Sequence, residues 1–455
     1  ILHNEGAVIT GSDVAERFYT DDLLDALGVR PLVGFSRENV DDSVDVLVYS
    51  AAYGEDNPER MEATRRNITQ FSYTEMLGLL SRGRRSVAVS GVHGKTSTTA
   101  LIGAMVAQTD LDATVVVGSA VPDFGGSSTL IRGSTVLIAE TCEYRRHFLD
   151  FEPDLIVVTS IEADHLDYFR DREDVLSAFV EFADRLPENG GALVYCADDA
   201  GACEAAERIR IRKPYVRLIP YGFSAEGSGR IYGYTVTAGM HRFSLDFGND
   251  PHRSDGWELR IPGIHMVRNA AAAVTVLRLL VPDADTTTVD RWRAGVAGFS
   301  GSRRRSERVA EINDILILDD YGHHPTEIKT TLAGYREFWP DRRLIVDFMS
   351  HTFTRTEALL DEFVEAFDSA DIVFLNDIYA SAREAYSGGI TGKAFAATLS
   401  SRHPDVRFYP EFTEAADEIV KELRAGDVFV TMGAGDNFRI GTDVAGKLRT
   451  ESSYA

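Results

Sequence analysis

One short run limits what this chain can fold into more than any other. VAVSGVHGKTSTTALIGAMVAQ, Val87 to Gln108, reads as a buried strand, a glycine-punctuated loop and a long helix with nothing between them. Phosphate binding needs that order. Gly91 and Gly94 let backbone N–H groups converge on phosphate oxygens, and the helix N-terminus adds positive potential. Within the loop formed by Gly91, Val92, His93, Gly94, Lys95, Thr96 and Ser97, the Lys95 ammonium reaches β- and γ-phosphates and the Thr96 hydroxyl suits Mg²⁺. The general pattern G-x-x-x-x-G-K-[ST] starts with a glycine that is absent here, since Val89 holds that position. The competing reading, a Gly-Lys turn without a ligand, leaves the matching strand and helix unexplained.

The same rhythm of strand and helix continues along the chain. TVVVGS, TVLIAE, LIVVTS and ALVYCADD follow at mostly helix-length intervals, the pattern of a largely parallel sheet. Upstream, VLVYSAAYGEDNP and the helical stretch to Asn67 indicate a smaller α/β unit, closed by the polar segment SRGRR, Ser81 to Arg85. HNEGAVITGSD, at the start, reads as a helix end, a strand and a turn, so a further segment is expected ahead of Ile1. YGYTVTAGMHRFSLDFGN and GWELRIPG alternate like antiparallel strands, an appended ribbon over residues 231–261. Five more apolar strands follow: DILILDD, RRLIVDF, ADIVFLND, DVRFYP and DVFVTMG. The expected fold is α/β in three domains, over residues 1–83, 84–298 and 299–455.

Charge narrows the function. With 47 basic and 71 acidic side chains the net charge is −24, which repels phosphate backbones and argues against general nucleic-acid binding. An anionic ligand must therefore rely on local cations or on Mg²⁺. The apolar run AAAAVTVLRLLV is interrupted by Arg278 and falls short of the ~20 residues of a membrane span. Cys142, Cys196 and Cys203 form neither a C-x-x-C pair nor an even set, so a disulfide framework or zinc site is not expected and a reducing cytoplasm is.

Strand ends carry the polar cargo. TVLIAE ends in Glu140, and LIVVTSIEADHLD leads into Glu162, Asp164, His165 and Asp167. Ligands of open parallel sheets sit outside the carboxyl ends of the strands, so Thr96, Glu140 and His165 are candidates to converge on a metal ion, although each alone reads equally well as a cap or surface group. Asn269, in IPGIHMVRN ahead of a small-residue helix, is either a base contact or an N-cap. Arg303, Arg304 and Arg305 are a phosphate clamp or a solvated linker run. In the last third, DDYGHHPTE, SHTFTRT and NDIYASARE bring His323, His324, His351 and Arg355, with Tyr379, Ser381 and Arg383, to strand ends where a carboxylate and an amine would meet a γ-phosphate.

Together these motifs resemble the Mur ligase family of peptidoglycan synthesis. GVHGKT resembles its ATP loop, SIEADHLDYF its histidine segment, FSGSRRRSE its interdomain arginines, and DDYGHHPTE, HTFTRT and MGAGD its C-terminal markers. ETCEYRRHFL is similar to the Gram-positive form of the alanine-adding branch, and LSAFVEFADRL lacks the lysine that several sister ligases carbamylate. The resemblance implies an N-terminal Rossmann-like domain that binds a UDP substrate, a central P-loop ATPase and a C-terminal Rossmann-like domain. It implies ATP and Mg²⁺ as cofactors, and joining of L-alanine to the lactyl carboxylate of UDP-N-acetylmuramate through an acyl phosphate. Carried over by position, Lys95 and Thr96 handle phosphate and Mg²⁺, Glu140 and His165 are metal ligands, and Asn269 meets adenine. Asp320 meets ribose, Arg304 and Arg305 the nucleotide, and Tyr321, His323, His324, His351 and Arg355 the substrates. The family's N-terminal glycine-rich loop does not occur in the chain, which leaves Gly11, Ser12 and Asp13 for the uridine nucleotide, and Met266 stands where the family's H-N-x-x-N segment has its first amide. The alternatives are a ligase that attaches an intact tripeptide to the same nucleotide sugar, and a nucleotide-binding paralogue without ligation.

Overall fold

The computed structural model describes residues 1–165, 168–237, 239–247, 254–380 and 388–452, so Asp167, Ser381 and Arg383 lie outside the described residues. By its internal contacts the chain forms two compact units, residues 1–221 with 272–282 and residues 222–271 with 283–455.

The first unit starts with two short parallel pairs. β1 (Ser12–Asp13) lies beside β2 (Leu32–Val33), and β3 (Val46–Tyr49) beside β4 (Thr69–Ser72). Of the strand expected in HNEGAVITGSD only Ser12–Asp13 pairs, as β1, and Ala7–Thr10 belong to no strand. Helix Pro58–Arg65 begins where its sequence says it should: the Asn57 side chain accepts from Glu59 N and Arg60 N at 3.0 and 3.2 Å, and Pro58 gives up an N–H that would otherwise lack a partner.

Seven strands then make one sheet: β5 (Arg85–Ser90), β6 (Ala113–Val116), β7 (Thr129–Ile131), β8 (Val136–Glu140), β9 (Leu155–Val158), β10 (Ala192–Cys196) and β11 (Arg217–Tyr221). Their order is β11-β10-β9-β5-β8-β6-β7, parallel except for the edge strand β7. β5 is therefore central, with β8 and β9 on either side, and the carboxyl ends of these three open at one edge of the sheet. Buried parallel strands read as continuous apolar runs rather than alternating ones, which is why VAVS, VLIA and LIVV were legible. Helix Lys95–Ala107 is buried from Ser97 to Val106, as its run of small and apolar residues requires.

In the second unit the ribbon is a three-stranded antiparallel sheet, β12 (Arg230–Val236), β13 (His241–Asp246) and β14 (Ser254–Leu259). A six-stranded sheet follows, built from β15 (Glu307–Ile312), β16 (Ile315–Asp320), β17 (Leu344–Met349), β18 (Ile372–Leu375), β19 (Val406–Phe408) and β20 (Val428–Gly433) in the order β15-β16-β20-β17-β18-β19. Only β15, antiparallel at the edge, was not anticipated; its polar sequence ERVAEI lacks an apolar run. Both faces are covered. Leu316, Leu318, Val346 and Phe348 pack with helix residues Ile328, Leu332 and Phe363 on one face, while Ile317, Ile345 and Phe374 pack with Ile419, Ile440 and Val444 on the other. Among the described residues no helix is long and apolar enough to cross a membrane.

Close approach of backbone fixes where helices sit. A Cβ at Gly78, in helix Tyr73–Ser81, would lie 2.1 Å from the Asp150 carbonyl oxygen. Gly78→Ala should therefore lower stability by about 1–3 kcal/mol, because backbone rather than a side chain has to move. Leu79→Ala, on the exposed side of the same helix at 41% exposure, should cost far less. Denaturant unfolding of both variants checks the ordering.

Candidate active site

The glycine loop after β5 is built by two glycines and a strand end. Gly91 has φ +135° and Gly94 φ +81°, the second serving as N-cap of helix Lys95–Ala107. A Cβ at Gly91 would lie 2.0 Å from Thr159 Oγ1, so the loop lies directly against the end of β9. Val92 N donates to Ser160 O and His93 N to Ser160 Oγ, both at 2.9 Å, and the Thr159 hydroxyl donates to His93 O. His93 Nε2 pairs with the Glu162 carboxylate. On the other side, the Ser90 and Thr141 hydroxyls meet at 2.6 Å and tie β5 to the end of β8.

Two carboxylates close the site. Thr96 Oγ1 donates to Glu140 Oε1 at 2.9 Å, and Gly118 N donates to Glu140 Oε2 at 2.6 Å. Lys95 Nζ lies 3.0 Å from Glu143 Oε2, and it also donates to the carbonyls of Gly91 and Val92. His165 Nε2 stands 3.5 Å from Glu143 Oε1. Glu143 is thus held between an ammonium and an imidazole. Burial alone would raise its pKa; Lys95, and His165 after it, outweigh that and hold the carboxyl below its usual value. For Lys95, burial works downward and Glu143, ahead of Cys142 and Glu140, more than reverses it, so the ammonium keeps its proton.

His165 is set by strained backbone. Its φ is +52°, and its ring packs on Tyr144 at 4.8 Å between centroids. Tyr144 precedes two further left-handed residues, Arg145 at φ +52° and Arg146 at φ +59°. Arg146 anchors that turn by pairing with Asp174 and Glu181 of helix Arg172–Phe182. Non-glycine residues held left-handed cost of order 1–3 kcal/mol each and persist where surrounding contacts over-determine them.

Donor chemistry suits the expected ligands. A hydroxyl beside a carboxylate, Thr96 with Glu140, is a hard oxygen set of the kind Mg²⁺ prefers, and a left-handed glycine loop before a helix is a phosphate cradle.

The second unit gathers its own set at strand ends. The rings of Tyr321 and His323 lie 5.2 Å apart, His323 and His351 6.0 Å, and His351 and Tyr379 5.9 Å, while Arg355 Nη1 is 3.5 Å from His351 Nδ1. His324 is the N-cap of helix Pro325–Phe338, and its Nδ1 accepts from Thr326 N at 3.3 Å. Asp320 is buried and accepts from Ser306 N and Gly322 N, both at 2.8 Å; burial lifts it to about 6 against the opposing pull of Arg305. The guanidinium of Arg304 is engaged, donating to Asp319 Oδ2 at 2.9 Å and Gly433 O at 2.6 Å between the rings of Tyr321 and Phe438. Arg305 reaches Glu327 at 3.3 Å. Neither arginine is part of a solvated linker run. Asn269 is not an N-cap, since it is the sixth residue of helix Ile264–Leu280; it is buried, with Nδ2 3.6 Å from Met266 Sδ.

In the N-terminal part, Gly11, Ser12 and Asp13 line a cleft of about 280 Å³ with Tyr49, Tyr53 and Arg60. Ser12 Oγ donates to Glu59 at 2.6 Å, Tyr53 OH to Asp13 at 3.3 Å, and the Arg60 guanidinium lies 3.8 Å over the Tyr49 ring. Sequence reasoning missed Glu143, Tyr144 and Arg60 as site residues. For Glu143 a signal existed: a second acid three residues past Glu140, just beyond the same strand.

The chain matches known families over most of its length. Residues 1–85 match the Mur ligase family catalytic domain, 89–277 the Mur ligase middle domain and 304–435 the Mur ligase glutamate ligase domain. The UDP-N-acetylmuramate–L-alanine ligase of Treponema pallidum (strain Nichols) is 45% identical over 446 residues, 97% of this chain and 92% of that protein. The protein of the same name from Desulfitobacterium hafniense (strain Y51) is 38% identical over 449 residues, 96% of this chain and 94% of that one. The crystal structure of the UDP-N-acetylmuramate-alanine ligase of Thermotoga maritima shares the fold, with a TM-score of 0.78 at 22% identity over 99% of this chain and 96% of that one. Matched in sequence by three models of that family and over nearly its whole length by relatives at 45% and 38% identity, the chain belongs to the Mur ligase family.

Proposed function

We propose that the protein is an ATP-dependent ligase that joins L-alanine to the lactyl carboxylate of UDP-N-acetylmuramate. The observation that carries this reading is the convergence of Lys95, Thr96, Glu140, Glu143 and His165 at three adjacent strand ends, with full-length relatives of that name at 45% and 38% identity as its support.

A carboxylate is a poor electrophile and must first be activated. Transfer of the γ-phosphoryl group of ATP to the lactyl carboxylate gives an acyl phosphate and ADP; the alanine amine, having lost a proton, attacks the acyl carbon and phosphate leaves as the amide forms. The N–H groups from Gly94 to Ser97 bind the phosphates, and Lys95 exchanges the carbonyls of Gly91 and Val92 for phosphate oxygens. Thr96 and Glu140, with His165, would hold Mg²⁺, which neutralises charge on the phosphoryl oxygens when bound. Glu143 keeps Lys95 charged and His165 in place. Asn269, Arg305 and Asp320 serve the nucleoside, and Arg304 acts through the loop it holds. The cleft at Gly11, Ser12 and Asp13 takes the uridine nucleotide. Tyr321, His323, His351 and Arg355 orient the carboxylate and the amino acid.

His324 acts as a donor and not as the base that takes the amine proton. With Thr326 N–H donating to Nδ1, the neutral ring carries its proton on Nε2 and presents a donor rather than a lone pair. It therefore stabilises anionic oxygen, and a carboxylate takes the amine proton.

Phosphate release should require ATP, UDP-N-acetylmuramate and L-alanine together in a coupled assay. Release that needs an intact tripeptide instead of alanine, or none when all three are present, would overturn the assignment. Lys95→Ala should reduce turnover by at least about 10²-fold in a folded protein, since it removes a charge aimed at the transferring group. Turnover within a few-fold of wild type would be the contrary result. Glu140→Ala and His165→Ala should each raise the Mg²⁺ concentration for half-maximal rate by roughly tenfold or more, measured by Mg²⁺ titration at saturating substrates.

A further inference from the structure

Asp347 is a carboxyl group in the middle of an otherwise apolar strand. All six residues of β17, LIVDFM, are buried, and Asp347 is 0% exposed. Two carboxamides reach it: Asn437 Nδ2 donates to Oδ1 at 3.1 Å and Asn376 Nδ2 to Oδ2 at 3.2 Å. The amide oxygens of both asparagines are themselves buried and find no partner among the described residues. Among the described residues no cation is paired with it. Across the sheet, Asp347 stands beside Thr431 and then Asp319, which Arg304 neutralises. On the other side come Phe374 and then Arg407, which pairs with Asp405 and Glu422. In the loops above, Asp377 accepts from Ile378 N and Gly392 N, and Asp436 faces Arg439 at 3.9 Å.

What these three side chains join is the ends of three neighbouring strands. β17 leads to His351 and Arg355, Asn376 follows β18 and leads to Tyr379, and Asn437 ends the loop that follows β20. Those loops also touch one another. Tyr379 N donates to Ser350 O and Thr352 N to Tyr379 O, both at 2.9 Å, and a Cβ at Gly435 would lie 2.2 Å from Met349 Sδ.

We propose that Asp347 is a positioning residue: as a carboxylate accepting both carboxamides, it holds the three loops in the arrangement that brings His351, Arg355 and Tyr379 together for the substrate. When it takes a proton, it has an O–H to place, and one carboxamide must turn its oxygen inward to accept it. The turned amide then loses its bond to backbone, Met432 O at 3.0 Å for Asn437 or Tyr409 O at 3.5 Å for Asn376. Burial pushes the Asp347 carboxyl up to about 7, and the Asn437 and Asn376 amides only partly offset this, so both forms are populated near neutral pH. Because the folded carboxyl binds its proton more readily than the unfolded one, its cost to stability grows as pH rises from about 3.8 to about 7 and is full above that. A carboxyl kept there against stability is what a positioning role predicts.

The activity readout rests on the ligase reading, so a second readout is independent of it. Asp347→Asn cannot ionise, and its amide forces one neighbouring carboxamide to turn, so it mimics the protonated state. For wild type and variant, kcat and the three KM values are measured from about pH 5.5 to about pH 9. The ratio of their kcat/KM values for L-alanine and for the nucleotide sugar should rise roughly tenfold with a midpoint near pH 7, with the KM for ATP little changed. Taking the ratio cancels every other titrating group. A ratio independent of pH would overturn the proposal. Hydrogen exchange at pH 8 should be faster in the variant at residues 350–352, 376–380 and 433–437; unchanged exchange would overturn it as well. If wild type shows no ligation, the functional reading fails and exchange alone decides the role of Asp347. If the variant does not fold, Asn437→Ala should move the wild-type midpoint upward by removing a donor to the carboxylate, and an unmoved midpoint is the negative result.

Discussion

An ammonium and a buried carboxylate, Lys95 and Glu143, meet at 3.0 Å, and each favours the charged form of the other against the cost of burial. Much of the first unit is arranged so that they can meet. β5 has to be central, with β8 beside it, for a loop after one and an acid after the other to open at the same edge. Gly91 has to be glycine for the loop to lie against Thr159. Helix Lys95–Ala107 has to start at Lys95 itself, so that its N–H groups and the ammonium point the same way. Breaking such a pair by removing one partner typically costs about 3–5 kcal/mol, so the pair and the sheet order support each other.

Strain is concentrated where this pair meets the histidine segment. Three non-glycine residues there, Arg145, Arg146 and His165, are left-handed, and each meets a neighbour: Arg145 the Tyr144 ring, Arg146 Asp174 and Glu181, His165 Glu143 and the Tyr144 ring. The glutamate between Lys95 and His165 makes one electrostatic unit out of the phosphate loop and the histidine segment.

The second unit repeats the principle with different means. Its parallel sheet is apolar on both faces, and its polar groups stand at or near the carboxyl ends of the strands. Arginine does there what lysine does in the first unit: Arg304 fixes the Gly433 carbonyl and Asp319 while lying between two aromatic rings. Asp347 interrupts the apolar interior, and its two asparagines tie the loop after β20 to the backbone-paired loops after β17 and β18.

How much was legible follows from the range of the forces involved. Buried parallel strands, the glycine loop and the cap at Asn57 are set by residues within a few positions of one another, so the strand and helix rhythm, the phosphate loop and the α/β class could be read directly from the sequence. Three edge strands, β7, β11 and β15, were not legible, because each is held by its neighbour. Asn269 could be narrowed to two readings, and only the helix boundary at Ile264 removed one of them. Glu143 left only the signal of a second acid past the strand, and Asp347 read as an interruption in an apolar strand. Their partners lie 48 and 90 residues away. The sequence by itself determined which segments become strands, helices and phosphate loop, since local sterics and apolar periodicity decide those. Which charges survive burial, which arginine is engaged and which carboxyl ties loops together were decided by the tertiary structure, because the energy of a buried polar group depends on partners that only the folded sheet brings within reach.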